Sequence, residues 1–158
     1  METKNYLQIM ADSLKMKKDI LTQLVELNEA QKEIFSNQHF TEEAFRSNID
    51  VKDELVTKLM KMDEGFNSLF NRVKEELESN RALYSGEIAQ LQSLIREITE
   101  LSARVETQEA RNKLIVQDYF MNMKRDVRNA KQNAKMANTY YKNMNKINYE
   151  PHFMDKKK

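Results

Sequence analysis

The carboxylates and histidines of this chain have the types, though not the spacing, for chemistry. Glu75, Glu76 and Glu78 stand close together, as do Asp53 and Glu54, and paired carboxylates can divide general acid and base roles. On a charged amphipathic helix, such clusters are ordinarily the solvated face. His39 and His152 lie toward opposite ends of the chain. A metal site would need carboxylates at close range, and neither His-x-x-x-His nor Glu-x-x-His occurs. There is no Cys, which removes disulfides, thiolate chemistry and cysteine zinc sites. Gly65 and Gly86 stand alone, outside any phosphate-loop pattern. The expectation is a protein that is not an enzyme and uses no metal or cofactor.

A second chemistry is electrostatic. Residues 118–158 carry 10 Lys/Arg against 4 Asp/Glu, leaving +6, while residues 1–117 carry 16 against 21, leaving −5. The last quarter is a basic arm on an acidic body. Lys124, Arg125, Arg128, Lys131 and Lys135, followed by Tyr140 and Tyr141, invite a nucleic-acid reading. Leucine-zipper proteins place their basic region before the heptads, however, and here it follows the seam. A solvated helix face or a protein-binding arm is the stronger expectation. Five of the ten Met residues lie beyond residue 120, and unbranched thioethers suit surfaces that adapt to apolar partners as well as loosely filled cores.

The elements that must position these groups read as helices throughout. The chain is 40% hydrophobic and 32% charged, with two Gly and one Pro among 158 residues, and lacks the turn clusters and alternating runs that strands need. Leu55, Leu59, Met62, Phe66, Leu69 and Val73 recur at steps of three and four, widened by Val56, Phe70 and Leu77, which is the period of an amphipathic helix. A first helix over about Thr3 to Ser36 is marked by Leu7, Met10, Leu14, Leu21 and Leu24. Lys17, Asn28 and Gln31 interrupt that seam, as register-setting residues or, the preferred reading, as rim positions. Thr41 suits an N-cap after a turn at Ser36 to Thr41, with Glu42 and Glu43 facing the positive helix end. A turn between Ser79 and Gly86 is favoured, although Phe70, Leu77, Tyr84, Leu91, Ile98 and Val105 would also continue as one helix. The third segment carries Ile88, Leu91, Ile95, Ile98, Leu101 and Val105, and Glu109 and Asn112 then break the stripe, as a hinge or the end of the packed body.

The expected architecture is all-α: an antiparallel hairpin or three-helix bundle over residues 1–117, with a long C-terminal helix extending beyond it through a basic arm over 118–158. On that arm Tyr119, Met123, Val127, Tyr140, Tyr141 and Met144 fall toward one side with no helix left to cover them. Ala130, Ala134 and Ala137 would admit a partner helix closely, so these nine residues are the candidate partner-binding set. No apolar run reaches the roughly 18 to 20 residues that span a bilayer, and no signal peptide is evident at the N-terminus, so a cytoplasmic protein without membrane insertion is expected.

Three stretches, IDVKDELVTKLMKMDEGFNSLFNRVKEEL (49–77), IREITELSARVETQEARNK (95–113) and NKINYEPHFMDKKK (145–158), resemble the bacterial flagellar export chaperones of the FlgN type, including homologues labelled as the related FliT. The resemblance implies a cytoplasmic chaperone. It would bind hook-filament junction (hook-associated) proteins through their C-terminal helices and deliver them to the flagellar type III export apparatus. The binding region it implies is Leu114 through Met144. The alternative is a structural coiled-coil homodimer with no export role, in which Glu42 to Ile147 forms one long helix.

Overall fold

The structure, a computed structural model, describes residues 2–36, 40–123 and 127–147, with the side chains of 127–130 excepted. The described residues form four helices: α1 (Glu2–Ser36), α2 (Glu42–Ser79), α3 (Ser85–Asn122) and α4 (Val127–Met144). The chain is all-α, as its periodicity predicts.

The seams explain the packing. In α1 the residues at alternating steps of three and four, Leu7, Met10, Leu14, Lys17, Leu21, Leu24, Asn28 and Gln31, are all buried. In α3, with Tyr84 just before it, the same rhythm runs through the buried Ile88, Leu91, Ile98, Ser102, Val105, Glu109, Asn112 and Val116, with the half-buried Ile95 filling the step between Leu91 and Ile98. These are positions of a continuous heptad seam. The interruptions in the apolar pattern are changes of chemistry at unchanged geometry. Lys17, Asn28 and Gln31 therefore lie in the core and not on a rim, and Glu109 and Asn112 mark neither a hinge nor the end of the packed body.

Side-chain pairs fix the directions. Lys17 Nζ lies 2.7 Å from Asp63 Oδ1 and Lys52 Nζ 3.0 Å from Gln31 Oε1, so α1 and α2 are antiparallel. Lys18 pairs with Glu97 and Asn28 with Gln108, so α1 and α3 run parallel. Helix α1 packs on α2 and α3, and α4 also packs on α2 and α3, but no Cα pair within 8 Å joins α2 to α3 or α1 to α4. The helices thus alternate in direction along the chain, while in the ring order α1, α2, α4, α3 the parallel pairs α1–α3 and α2–α4 are neighbours. With 18 residues against 38 in α2 and 38 in α3, α4 completes the ring at one end only.

The helix ends follow local chemistry. The Thr41 hydroxyl accepts from Ala44 N at 3.1 Å and caps α2 in extended backbone geometry. Residues 37–39 of the expected turn, His39 among them, lie outside the described residues. The favoured turn between α2 and α3 is present: Asn80 N donates to Glu76 O at 3.0 Å and Tyr84 N to Asn80 O at 3.3 Å. The buried Tyr84 donates its hydroxyl to Glu76 Oε1 at 3.2 Å. This turn and the end of α3 at Asn122, followed by extended Met123, exclude a single helix from Glu42 to Ile147.

The C-terminal region departs from expectation. Position 117 falls inside α3, and the helical signal beyond it divides into the end of α3 and a separate α4 that folds back antiparallel to α3. The fourth helix, absent from the expected bundle, is the arm itself. At that end Phe35, Phe40, Phe45, Tyr119 and Phe120 form an aromatic cluster, with Phe40 and Tyr119 centroids 4.5 Å apart and Phe35 and Phe45 edge-on at 5.3 Å. Aromatic contacts of this geometry contribute about 0.5–1.5 kcal/mol each beyond area burial.

Candidate functional site

Two arrangements at the α4 end have distinctive chemistry: a buried polar layer and an open cleft beside it. In the layer, Lys52 of α2 is 0% exposed. Its Nζ lies 2.9 Å from Glu109 Oε1 of α3, donates to Gln31 Oε1 of α1 at 3.0 Å, and sits 4.3 Å from the Tyr140 ring centroid of α4. The Tyr140 hydroxyl donates to the same Glu109 oxygen at 3.1 Å. All four helices therefore meet at one ammonium group. Asn112 Nδ2 donates to Gln31 Oε1 at 3.0 Å and to Asn28 O at 2.9 Å, and Asn28 Nδ2 donates to Gln108 Oε1 at 3.3 Å. Asn48 Nδ2 donates to Leu27 O at 3.0 Å.

Burial pushes the Lys52 ammonium below its usual pKa, outweighing the opposing attraction of Glu109 and Asp53. Burial, reinforced by the Glu109 charge, pushes the Tyr141 hydroxyl up. A buried lysine with a lowered pKa can be a reactive amine, but Lys52 is fully enclosed and does not line the cavities along the end of α3 and α4. The layer's capacity is to hold four helices in one alignment.

The cleft opens between the end of α3 and α4. It has a volume of about 510 Å³ and is walled by Val116, Phe120 and Met121 on one side and Ala134, Ala137 and Tyr141 on the other, with Met123 at its end and Lys131 and Asn138 along α4. Among the described residues no carboxylate lines it. Leu114 and Met121, 63% and 82% exposed, continue the apolar surface along α3.

The candidate partner-binding residues divide. Ala137, Tyr140, Tyr141 and Met144 are buried in the core, which corrects the expectation of an uncovered stripe: the fold-back of α4 turns them onto α2 and α3. The small side chain of Ala137 serves a close approach within the chain. Tyr119 is half-buried in the aromatic cluster. Met123 and Ala134 line the cleft. Val127 and Ala130 belong to α4, but their side chains lie outside the described residues, as do those of Lys124, Arg125, Arg128, Met154 and His152. Sequence reasoning missed Lys52, Glu109 and Gln31 as a unit, although their recurrence at seam positions was the available signal. It also passed over the exposure of Leu114 and Met121.

Among the described residues no group of three or more His, Cys, Asp or Glu could hold a metal ion, and no helix is long and apolar enough to cross a membrane. Comparison with known proteins brings no match: no family model fits the sequence, and neither a curated protein nor a solved structure matches the chain. Fold and site thus define a class, an all-α helical bundle with a buried polar layer and an apolar cleft at one end.

Proposed function

We propose that this chain is a cytoplasmic, non-enzymatic export chaperone of the FlgN type. It binds hook-filament junction proteins through their C-terminal helices and hands them to the flagellar type III export apparatus, with no role for nucleic acid or membrane insertion. The observation that carries the reading is the α3–α4 cleft with its exposed neighbours Leu114 and Met121, because it falls in the region, Leu114 through Met144, that the resemblance implies for partner binding. Large exposed apolar groups beside an open apolar cleft mark an interaction surface, and helices commonly bind by laying an apolar face into such a groove. Titration of the purified chain with C-terminal helical segments of hook-filament junction proteins, followed by calorimetry, tests the proposal. Saturable one-to-one binding supports it. Absence of binding by every such segment, with the chain folded, sinks it.

A further inference from the structure

The charge on α4 narrows the chemistry of whatever occupies the cleft. Its sequence, VRNAKQNAKMANTYYKNM, contains four basic residues and no acidic one. Lys131, Lys135, Asn138 and Lys142 follow one another at steps of four, three and four, so they share one face of the helix. All four are exposed, and among the described residues none of the three lysines is in an ion pair. Lys131 and Asn138 of that face also line the cleft. The nearby Asp118 of α3 lines a different cavity, with Phe35 and Tyr119, and among the described residues no carboxylate shares the cleft with its cationic edge.

The apolar side has its own period. Leu114 and Met121 are seven residues apart, hence on one face of α3 about 10 Å along its axis. Met121 reaches the cleft, whose floor is Val116, Phe120 and Ala137. A cavity of this size accepts a few large side chains and not a whole helix. An occupant must therefore anchor side chains in the cleft and rest the remainder of its apolar face on Met121 and Leu114. That pattern belongs to an amphipathic helix with anchors at i, i+3 or i+4 and i+7.

We propose that the α3–α4 cleft is a docking groove for an acidic amphipathic helix of a protein partner, with apolar anchors against Met121, Phe120 and Ala134 and carboxylates along the Lys131–Lys135–Lys142 edge. This rests on the partner-binding reading above and deepens it by fixing the partner's charge. The lysines accelerate encounter and select against basic helices, while the buried anchors hold the complex.

The test uses two synthetic helical peptides with identical Leu anchors, one flanked by Glu and the other by Lys, titrated by fluorescence anisotropy into the full chain. The Glu peptide is expected to bind at least about tenfold more tightly than the Lys peptide, with weaker binding as salt rises. Met121→Ser, a change at an exposed position, should weaken it by about tenfold, and Lys131→Glu with Lys135→Glu should reverse the preference. Equal binding of the two peptides, no binding of either, or indifference to Met121→Ser would each overturn the proposal. So would displacement of the Glu peptide by phosphatidylglycerol vesicles, which would give the surface to lipid. The peptides contain no export-substrate sequence, so the two readings fail separately: Glu-peptide binding without junction-protein binding removes the chaperone, and the converse removes the acidic occupant.

Discussion

At the end of the bundle that holds the α2–α3 turn, the buried seam is hydrocarbon: Leu7, Met10 and Leu14 from α1, Phe66, Val73 and Leu77 from α2, and Ile88, Leu91 and Ile98 from α3. At the other end the same seams present Asn28 and Gln31, Lys52, and Glu109 and Asn112, and a fourth helix joins them. A hydrocarbon seam slipped by one heptad still sets one apolar side chain near another, so burial alone distinguishes alignments weakly. A polar seam slipped in the same way would strand the Lys52 ammonium and the Glu109 carboxylate in the core, at several kcal/mol each. The difference teaches a division of labour: the apolar end supplies cohesion, and the polar end supplies alignment and the docking point for α4 through Tyr140.

That division is broken most directly at Lys52. Lys52→Met leaves Glu109 buried without its cation and is expected to cost about 3–5 kcal/mol in urea melts. Adding Glu109→Leu and Tyr140→Phe to the same chain should recover most of that loss, because like-sized apolar groups avoid the desolvation penalty. If alignment is the layer's role, the triple variant will be stable yet show broadened or multiple amide resonances. A triple variant with one sharp set of resonances would show that the hydrocarbon end aligns the helices unaided.

At the apolar end, Phe66→Ala is expected to cost about 3 kcal/mol, the lower part of the range for a buried Phe. Its neighbours Leu69 and Phe70 are only half-buried and can settle into the space. The variant should keep a single set of resonances, in contrast to the triple variant. A loss under about 1 kcal/mol would show that this face is not core.

Legibility in the sequence divides along similar lines. Helix content, the Thr41 cap and the turn after Ser79 were readable because period, capping hydroxyls and breakers act locally. The polar layer was not, because Asn28 and Gln31 on a seam look alike whether the seam faces water or three other helices. Lys52 is the sharper case: its burial depends on Gln31, Glu109 and Tyr140, which are distant in sequence. The fold-back of α4 was hidden for another reason. The stretch Met123 to Val127 contains neither Gly nor Pro, and α4 is rich in Lys and Asn, so its buried Ala137, Tyr140 and Met144 read as an exposed stripe. Met123 and Ala134 of the candidate set do reach the cleft, whereas the importance of Leu114 and Met121 depends on where α3 stops.

Two tyrosines side by side sharpen the comparison at smaller amplitude. Tyr140→Phe removes a hydrogen bond to a buried carboxylate but leaves Lys52 on the same Glu109 oxygen, so a cost of about 1.5 kcal/mol is expected, near the lower end for bonds to charged groups. The buried Tyr141 hydroxyl makes no well-formed hydrogen bond among the described residues and interacts only weakly with Gln31, so Tyr141→Phe should be neutral or slightly stabilising in the same melts. Equal losses at the two positions would mean that α4 docks through ring packing alone.

The smallest expected effect is a change of slope, at the ion pair between the two ends. Asp63 Oδ1 lies 2.7 Å from Lys17 Nζ, while Asp63 Oδ2 is buried with no hydrogen-bond partner among the described residues. Burial holds the Asp63 carboxyl above the usual aspartate range, against the pull of Lys17. The native state therefore keeps this proton to higher pH than the unfolded chain does, and the associated stability is present below the ordinary aspartate value of about 4 and lost as pH rises through the native one. Asp63→Asn removes that titration. Plotted as wild-type minus variant stability from acid to neutral pH, the difference should fall as pH rises, while the raised Asp53, present in both chains, cancels. A difference that rises with pH would mean that Lys17 stabilises the ionised carboxylate more than burial opposes it, and that this junction behaves as an ordinary ion pair.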